Sequence, residues 1–198
     1  MSKRPNTEQR RSEIVNALLS VIAEHGYARA TIQLIAQRAG LAPGLIHYHF
    51  KTKAEILLEL VKTLVELSAR RYAAFSAAAK TPEERLIAYI NARLAQGVGA
   101  DPAAVAAWVM IGAEAVRQPD VREIYQQAIG AEFALLKELL TDYLLSRGQP
   151  ADKVEQVAAG LLALMEGAFQ LASAAPALMP SGYAASMAIR FIRQQDVE

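Results

Sequence analysis

The 198-residue sequence contains no cysteine, which excludes structural disulfides, zinc–thiolate sites and iron–sulfur clusters. It has three histidines, and none follows His49. A catalytic body beyond that point would have to work with carboxylates, lysine, serine or tyrosine alone. The glycine-rich phosphate loop and the Gly-x-Ser-x-Gly turn are both missing. No Glu-x-x-His pair occurs, so a carboxylate di-iron bundle lacks its ligands. These absences make an all-helical enzyme a remote alternative and imply no metal, cofactor or catalytic residue.

Long apolar runs are also scarce. The segment "VAAGLLALMEGAFQLASAAPALM" (157–179) is interrupted by Glu166 after nine residues, and Gln170, Ser173 and Pro176 follow. A membrane span needs about 20 predominantly apolar residues, so this segment is expected to be a helix buried by protein, with no membrane involved. The start, "MSKRPNTEQRRSE", lacks the apolar centre of a signal peptide, which predicts a cytoplasmic location. With 53% hydrophobic residues the chain is not of the disordered class.

The small net charge conceals an asymmetry. Residues 1–55 carry eight basic and four acidic residues, a net +4, and the remainder carries 13 basic and 16 acidic, a net −3. A basic head on a mildly acidic body fits the binding of a polyanion.

The pattern throughout is helical, with no sustained strand-like alternation. Thr7 is positioned to cap a first helix ending at Gly26, and Thr31 a second, running to about Ala39. A third follows Leu41, to about Phe50. Thr52 with Glu55 forms a capping box for a long fourth helix, to about Ala79. Thr81-Pro82-Glu83-Glu84 is a stronger start signal. Asp101-Pro102, Pro119-Asp120 and Asp152 with Glu155 open three more, the last broken at Pro176. Ser181 opens a ninth. The expectation is an all-α protein of about nine helices: a head at 1–55 and a body at 56–198.

"AGLAPGLIHYHFKTK" (39–53) holds two of the three histidines, as His47-Tyr48-His49. Residues i and i+2 of a helix point roughly 200° apart, so these two cannot share a metal from a regular helix. His25, beside Gly26, reads as a helix C-terminal residue rather than a ligand. The surrounding pattern is that of a helix-turn-helix. Ala36 is small where two helices would cross, Gly40 sits in the turn where positive φ is easiest, and Ile46 faces the first helix of the pair, with Ile32 and Ile35 in the same core.

With these residues in view, "ARATIQLIAQRAGLAPGLIHYHFKTKAEIL" (28–57) resembles the DNA-binding domain of TetR-type transcriptional repressors. The matching features are Gly26-Tyr27, Thr31, Ile35-Ala36, Ala39-Gly40, Gly44, the block His47-Tyr48-His49-Phe50, Lys53 and Leu57. His47 departs from the pattern, since that position is most often tyrosine. The resemblance implies a double-stranded DNA operator as partner. It puts Thr31, Tyr48, His49 and Lys53 at phosphates, with Lys51 beside them, and position 47 at a base or phosphate. Lys3, Arg4, Arg10 and Arg11 could extend that contact. Ala42, Pro43, Gly44 and Leu45 start the recognition helix. None of these four can make bidentate contacts to a purine, so readout would rest on thymine methyls, close backbone approach at Gly44, DNA shape and His47.

The resemblance further implies a small-molecule effector, of unknown identity, bound in the body. Candidate lining residues on the middle helices are Tyr72, Tyr89, Trp108, Met110, Ile111 and Glu114, with Tyr125, Met165, Glu166 and Phe169 further on. Phe75 and Phe133 are weaker candidates. Glu166 stands alone in "GLLALMEGAFQLA" and could meet a cationic ligand, an arginine such as Arg93 or Arg117, or water. Segments 106–126 and 160–173 resemble the body of the choline-responsive branch. A homodimer through 152–175 and 181–195 is expected, because Ala158, Ala159, Gly160, Ala163 and Gly167 allow close backbone approach on a helix apolar all round. A regulator whose body answers a protein partner instead is the alternative, and whether it represses or activates stays open.

Overall fold

The computed structural model describes residues 7–95 and 100–194. Those residues form nine α-helices and one short 3-10 turn, with no strand among them. In order they are α1 (Thr7–His25), α2 (Ile32–Ala39), α3 (Pro43–His49), α4 (Lys53–Ser76), α5 (Pro82–Leu94), α6 (Pro102–Ala115), α7 (Pro119–Ser146), α8 (Val154–Ala174), a 3-10 turn at Pro176–Leu178, and α9 (Tyr183–Gln194). Lys3 and Arg4 lie outside the described residues, as does residue 195 of the expected interface.

Local chemistry sets most boundaries. Thr31 caps α2, its hydroxyl accepting from the Leu34 amide at 3.2 Å. Gly40 ends α2 in the left-handed region (φ +66°). There the Leu41 amide donates to the Ala36 carbonyl at 2.9 Å and the Gly40 amide to Gln37 at 3.2 Å. These are the paired bonds of a Schellman stop, which a residue with a Cβ adopts only under strain. Thr81 and Glu84 form the complete capping box expected of α5. At α4 only half the box is conventional. Thr52 accepts from the Glu55 amide, while the Glu55 carboxylate reaches one residue further back, to the Lys51 amide at 2.9 Å.

Some boundaries depart from the sequence expectation. Thr7 is already the first helical residue of α1, so it does not cap it. The fourth helix stops at Ser76, three residues short of Ala79. The start of α8 is not capped by Asp152. Lys153 holds the cap position with no side-chain bond, and Asp152 is exposed. The ninth helix begins at Tyr183, because Gly182 takes φ +71° and separates it from Ser181.

The chain divides into two compact units. The first comprises residues up to Val65 together with Pro102–Ala128, and the second Glu66–Asp101 with the residues from Ile129 onward. Of the three divisions, two fall inside long helices, α4 and α7, and the third at the start of α6. In the first unit α1 packs on α2, α3 and α6. Its core is Ile14, Leu18, Ile22, Ile35, Ile46 and Phe50, each essentially inaccessible to solvent. In the second unit α5, α8 and α9 pack on one another around Leu86, Ile90, Leu161 and Ala188.

The second unit also holds a well-covered ion pair, Arg93 with Glu132, at 14% and 15% side-chain exposure. Arg93 Nε lies 2.8 Å from Glu132 Oε1, and its Nη2 donates to Oε2 at 2.9 Å. Nη1 donates to the Ser68 hydroxyl at 2.9 Å, and the guanidinium lies 5.0 Å from the Phe169 ring centre. The Tyr89 hydroxyl donates to the same carboxylate at 2.6 Å. Burial first, and then the Glu132 charge, push that phenol far above its usual range. Removing one partner would strand the other in a poorly hydrated place. Glu132→Ala should therefore lower unfolding stability by about 3 kcal/mol, read from chemical denaturation. A loss below about 1 kcal/mol would show that water reaches the pair freely.

Candidate nucleic-acid interface

The helix that the sequence singles out, α3, is seven residues long and anchored from one side. Ile46 is fully buried, and Phe50, just past the helix end, is 1% exposed. Ala42, Pro43, Gly44 and His47 are exposed, while Leu45 and His49 are half-buried. Tyr48 is 78% exposed and meets His49 edge-on, the ring centres 5.0 Å apart. Pro43 takes the first helical position, where its missing N–H costs nothing. Gly44 has an ordinary helical backbone, and a Cβ built there would meet no atom within 4 Å. Neither packing nor backbone conformation requires glycine at this position.

Two cations fix α3 and the start of α4. Arg11 of α1 donates to the His49 carbonyl at 2.7 Å, and its guanidinium stacks 4.0 Å from the Phe50 ring centre. Glu59 of α4 stands 3.7 Å from the same group. Lys53, the first residue of α4, is half-buried. Its ammonium donates to the Tyr27 carbonyl at 3.0 Å and sits 4.0 Å above the Tyr27 ring. Burial holds Lys53 below its usual pKa, partly offset by Glu114. Burial, followed by Asp120 and Glu114, pushes the Tyr27 hydroxyl up to about 12. A cation at a helix N-terminus opposes the dipole, and here a carbonyl and an aromatic face offset that cost.

Arg10 and Arg38 are paired locally. Arg10 pairs with Glu13 at 2.6 Å, and Arg38 grips Glu24 with two bonds, at 2.6 and 2.5 Å, joining α2 to α1. His25 ends α1 with Nε2 3.6 Å from Glu24, and Gly26 follows at φ +77°. Lys51 is exposed. Thr31 is exposed at the N-terminus of α2. Among the described residues no group of three or more His, Asp or Glu is placed to hold a metal.

The body candidates divide between the units. Trp108, Met110, Ile111, Glu114 and Tyr125 belong to the first unit, and Tyr72, Tyr89, Met165, Glu166 and Phe169 to the second. In the first, Trp108 and Tyr125 stack at 4.8 Å with a 34° tilt. Gly112 admits Tyr125 so closely that a Cβ would lie 3.2 Å from its hydroxyl. Ile111 is buried, Glu114 is half-buried and accepts from Gln118, and Met110 is 38% exposed. In the second, Tyr72 meets Tyr89 edge-on at 5.6 Å. Met165 and Phe169 are buried. Arg93, one of the arginines expected as a partner for Glu166, is paired with Glu132. Sequence pattern does not single out Glu132 from the other body carboxylates, although "GAEFALL" carries the same signal as Glu166, a single carboxylate in an apolar stretch.

Replacing Lys53 with methionine keeps much of the packing on Tyr27 and removes the bond to its carbonyl. Lys53→Met should cost about 1–2 kcal/mol of stability, measured by thermal or chemical denaturation. A neutral result would mean that Lys53 holds nothing in the free protein.

Comparison with known proteins agrees with this geometry. Residues 14–60 match the family model for bacterial regulatory proteins of the tetR family, and residues 82–196 match that for the C-terminal part of BetI-type transcriptional repressors. The HTH-type transcriptional regulator BetI of Rhizobium meliloti (strain 1021) is 33% identical over 164 residues, 81% of this chain and 76% of that protein. BetI of Klebsiella pneumoniae (strain 342) is 29% identical over 93% of each chain. Among solved structures, a transcriptional regulator of Pseudomonas aeruginosa PAO1 superposes with TM-score 0.82 at 23% identity, covering 98% of this chain and 93% of its own. One from Saccharomonospora viridis, solved in complex with choline, gives TM-score 0.73 at 23% identity over 94% and 95%. The chain belongs to the tetR family of bacterial transcriptional regulators, with the helix-turn-helix DNA-binding head of that family and a body of the BetI type.

Proposed function

We propose that the chain is an effector-responsive repressor that binds a two-fold DNA operator as a homodimer, with α3 in the major groove. The observation that carries this reading is the glycine at position 44. Glycine inside a helix costs about 0.5–1 kcal/mol relative to alanine, and nothing in the free protein needs it there. A residue whose missing side chain serves no internal purpose suits close approach to another molecule. Ala42, Pro43 and Leu45 flank it with small or apolar surface suited to thymine methyl groups. His47 stands one turn on, in reach of a base edge. Thr31, Tyr48, His49, Lys51 and Lys53 meet phosphates, Lys53 using the donors left after its bond to Tyr27.

The dimer uses α8 and α9. Ala159, Gly160, Ala163 and Gly167 are exposed along α8, with Leu171 41% and Met187 of α9 48% exposed. Among the described residues α8 is the one helix long and apolar enough to cross a membrane, with a third of its apolar window buried within the chain. A second copy covering this face accounts for that composition. The body holds the effector, for which Trp108 and Tyr125 in one unit and Tyr72, Tyr89, Glu166 and Phe169 in the other are the candidates. Choline is the first ligand to try, by isothermal titration.

Gly44→Ala separates the functional reading from a structural one. The variant should be more stable than the parent by about 0.5–1 kcal/mol. In a gel shift on the DNA adjoining its own gene it should bind at least about fivefold more weakly, a methyl forced into a close contact costing roughly 1–3 kcal/mol. Undiminished binding would move the DNA contact away from the start of α3.

A further inference from the structure

Between Arg38 and Lys51 the only ionisable side chains are His47, Tyr48 and His49. The recognition helix therefore carries no formal charge when its histidines are neutral, and two positive charges when both are protonated. His47 is exposed, His49 is half-buried, and no ion pair or hydrogen bond of either imidazole exists among the described residues.

The charged groups around α3 are engaged elsewhere. On α1, Arg11 is bonded to the His49 carbonyl and stands near Glu59, and Arg10 is paired with Glu13. On α2, Arg38 is paired with Glu24. Beyond α3, the Glu55 carboxylate holds the Lys51 amide and Lys53 holds the Tyr27 carbonyl. A polyanion docked on α3 would bring anions to both sides of the helix.

We infer that operator binding by this chain is proton-linked through His47 and His49, a DNA-bound state taking up protons that the free state lacks. The inference rests on the reading of α3 as the DNA-facing helix. Its sign follows from linkage. Acceptors on the DNA, a base edge at His47 and a phosphate at His49, favour the protonated imidazole over the neutral one, so binding draws protons in. Affinity then increases as pH falls, and the gain is lost as pH rises. The slope of log affinity against pH counts the protons taken up, at most two for this pair. Each imidazolium at a phosphate also adds about one to the salt slope.

The test is fluorescence anisotropy of the full chain with the duplex adjoining its own gene, from about pH 8 to about pH 5.5 at constant ionic strength, with circular dichroism confirming the fold throughout. Affinity should rise about tenfold over that range, with a steeper salt dependence at the acid end. The double variant His47→Gln/His49→Gln should lose this pH dependence, whatever its absolute affinity. A double variant that keeps the parent's pH profile would overturn the inference, as would a parent whose affinity is flat. No binding at any pH would remove the DNA-binding assignment for that duplex, and the inference with it.

Discussion

Seven residues are too few to hold a helix in water, so α3 exists only through what grips it. The decisive grip is Arg11. Its guanidinium closes the C-terminal end of α3 on the His49 carbonyl and lies over the Phe50 ring, 4.0 Å from its centre. The bond satisfies a carbonyl that the short helix leaves free and sets a positive charge at the negative end of its dipole. Ile46 anchors the middle of the same helix in the core. With one face and one end fixed, the opposite end, Ala42 to Leu45, is presented at a defined angle without a side-chain bond of its own. Lys53 does the same for the next element, pinning the first residue of α4 to the turn after α1.

This arrangement reassigns the basic residues of the head. A positive patch invites the reading that each lysine and arginine is reserved for phosphate. Arg10, Arg11, Arg38 and Lys53 instead each have an internal partner. Their charge still contributes to the field that attracts a polyanion, while their positions serve the fold. Readout in the proposed complex then falls to small groups and imidazoles, where contact is made by close approach rather than by long, flexible cations.

The sequence made much of this legible for specific reasons. Gly40 was readable because a left-handed stop has few alternatives to glycine, and Thr81 with Glu84 because a complete capping box is local. Thr52 with Glu55 was readable as a start, but the carboxylate's choice of the Lys51 amide over that of Thr52 was not. Asp152 was misleading, since a good capping residue two positions from the helix start caps nothing. Contacts far apart in sequence were not legible. Arg11 to His49 spans 38 residues, and Arg93 to Glu132 spans 39. Periodicity reports which face is buried and says nothing of which carboxylate an arginine will choose. Nor does it reveal that α6 and the first part of α7 group with the head, so that the body candidates fall into two sets.

The central claim is that α3 meets DNA with its small N-terminal end while its other face stays in the core. Amide chemical-shift mapping of the nitrogen-15-labelled chain, titrated with its operator duplex, tests this most directly. The account predicts large shifts at Gly44, Leu45, His47 and Tyr48, smaller ones at Thr31 and Lys51, and little change at Ile35 and Ile46. Saturable binding that left Gly44 to Tyr48 unshifted would contradict it.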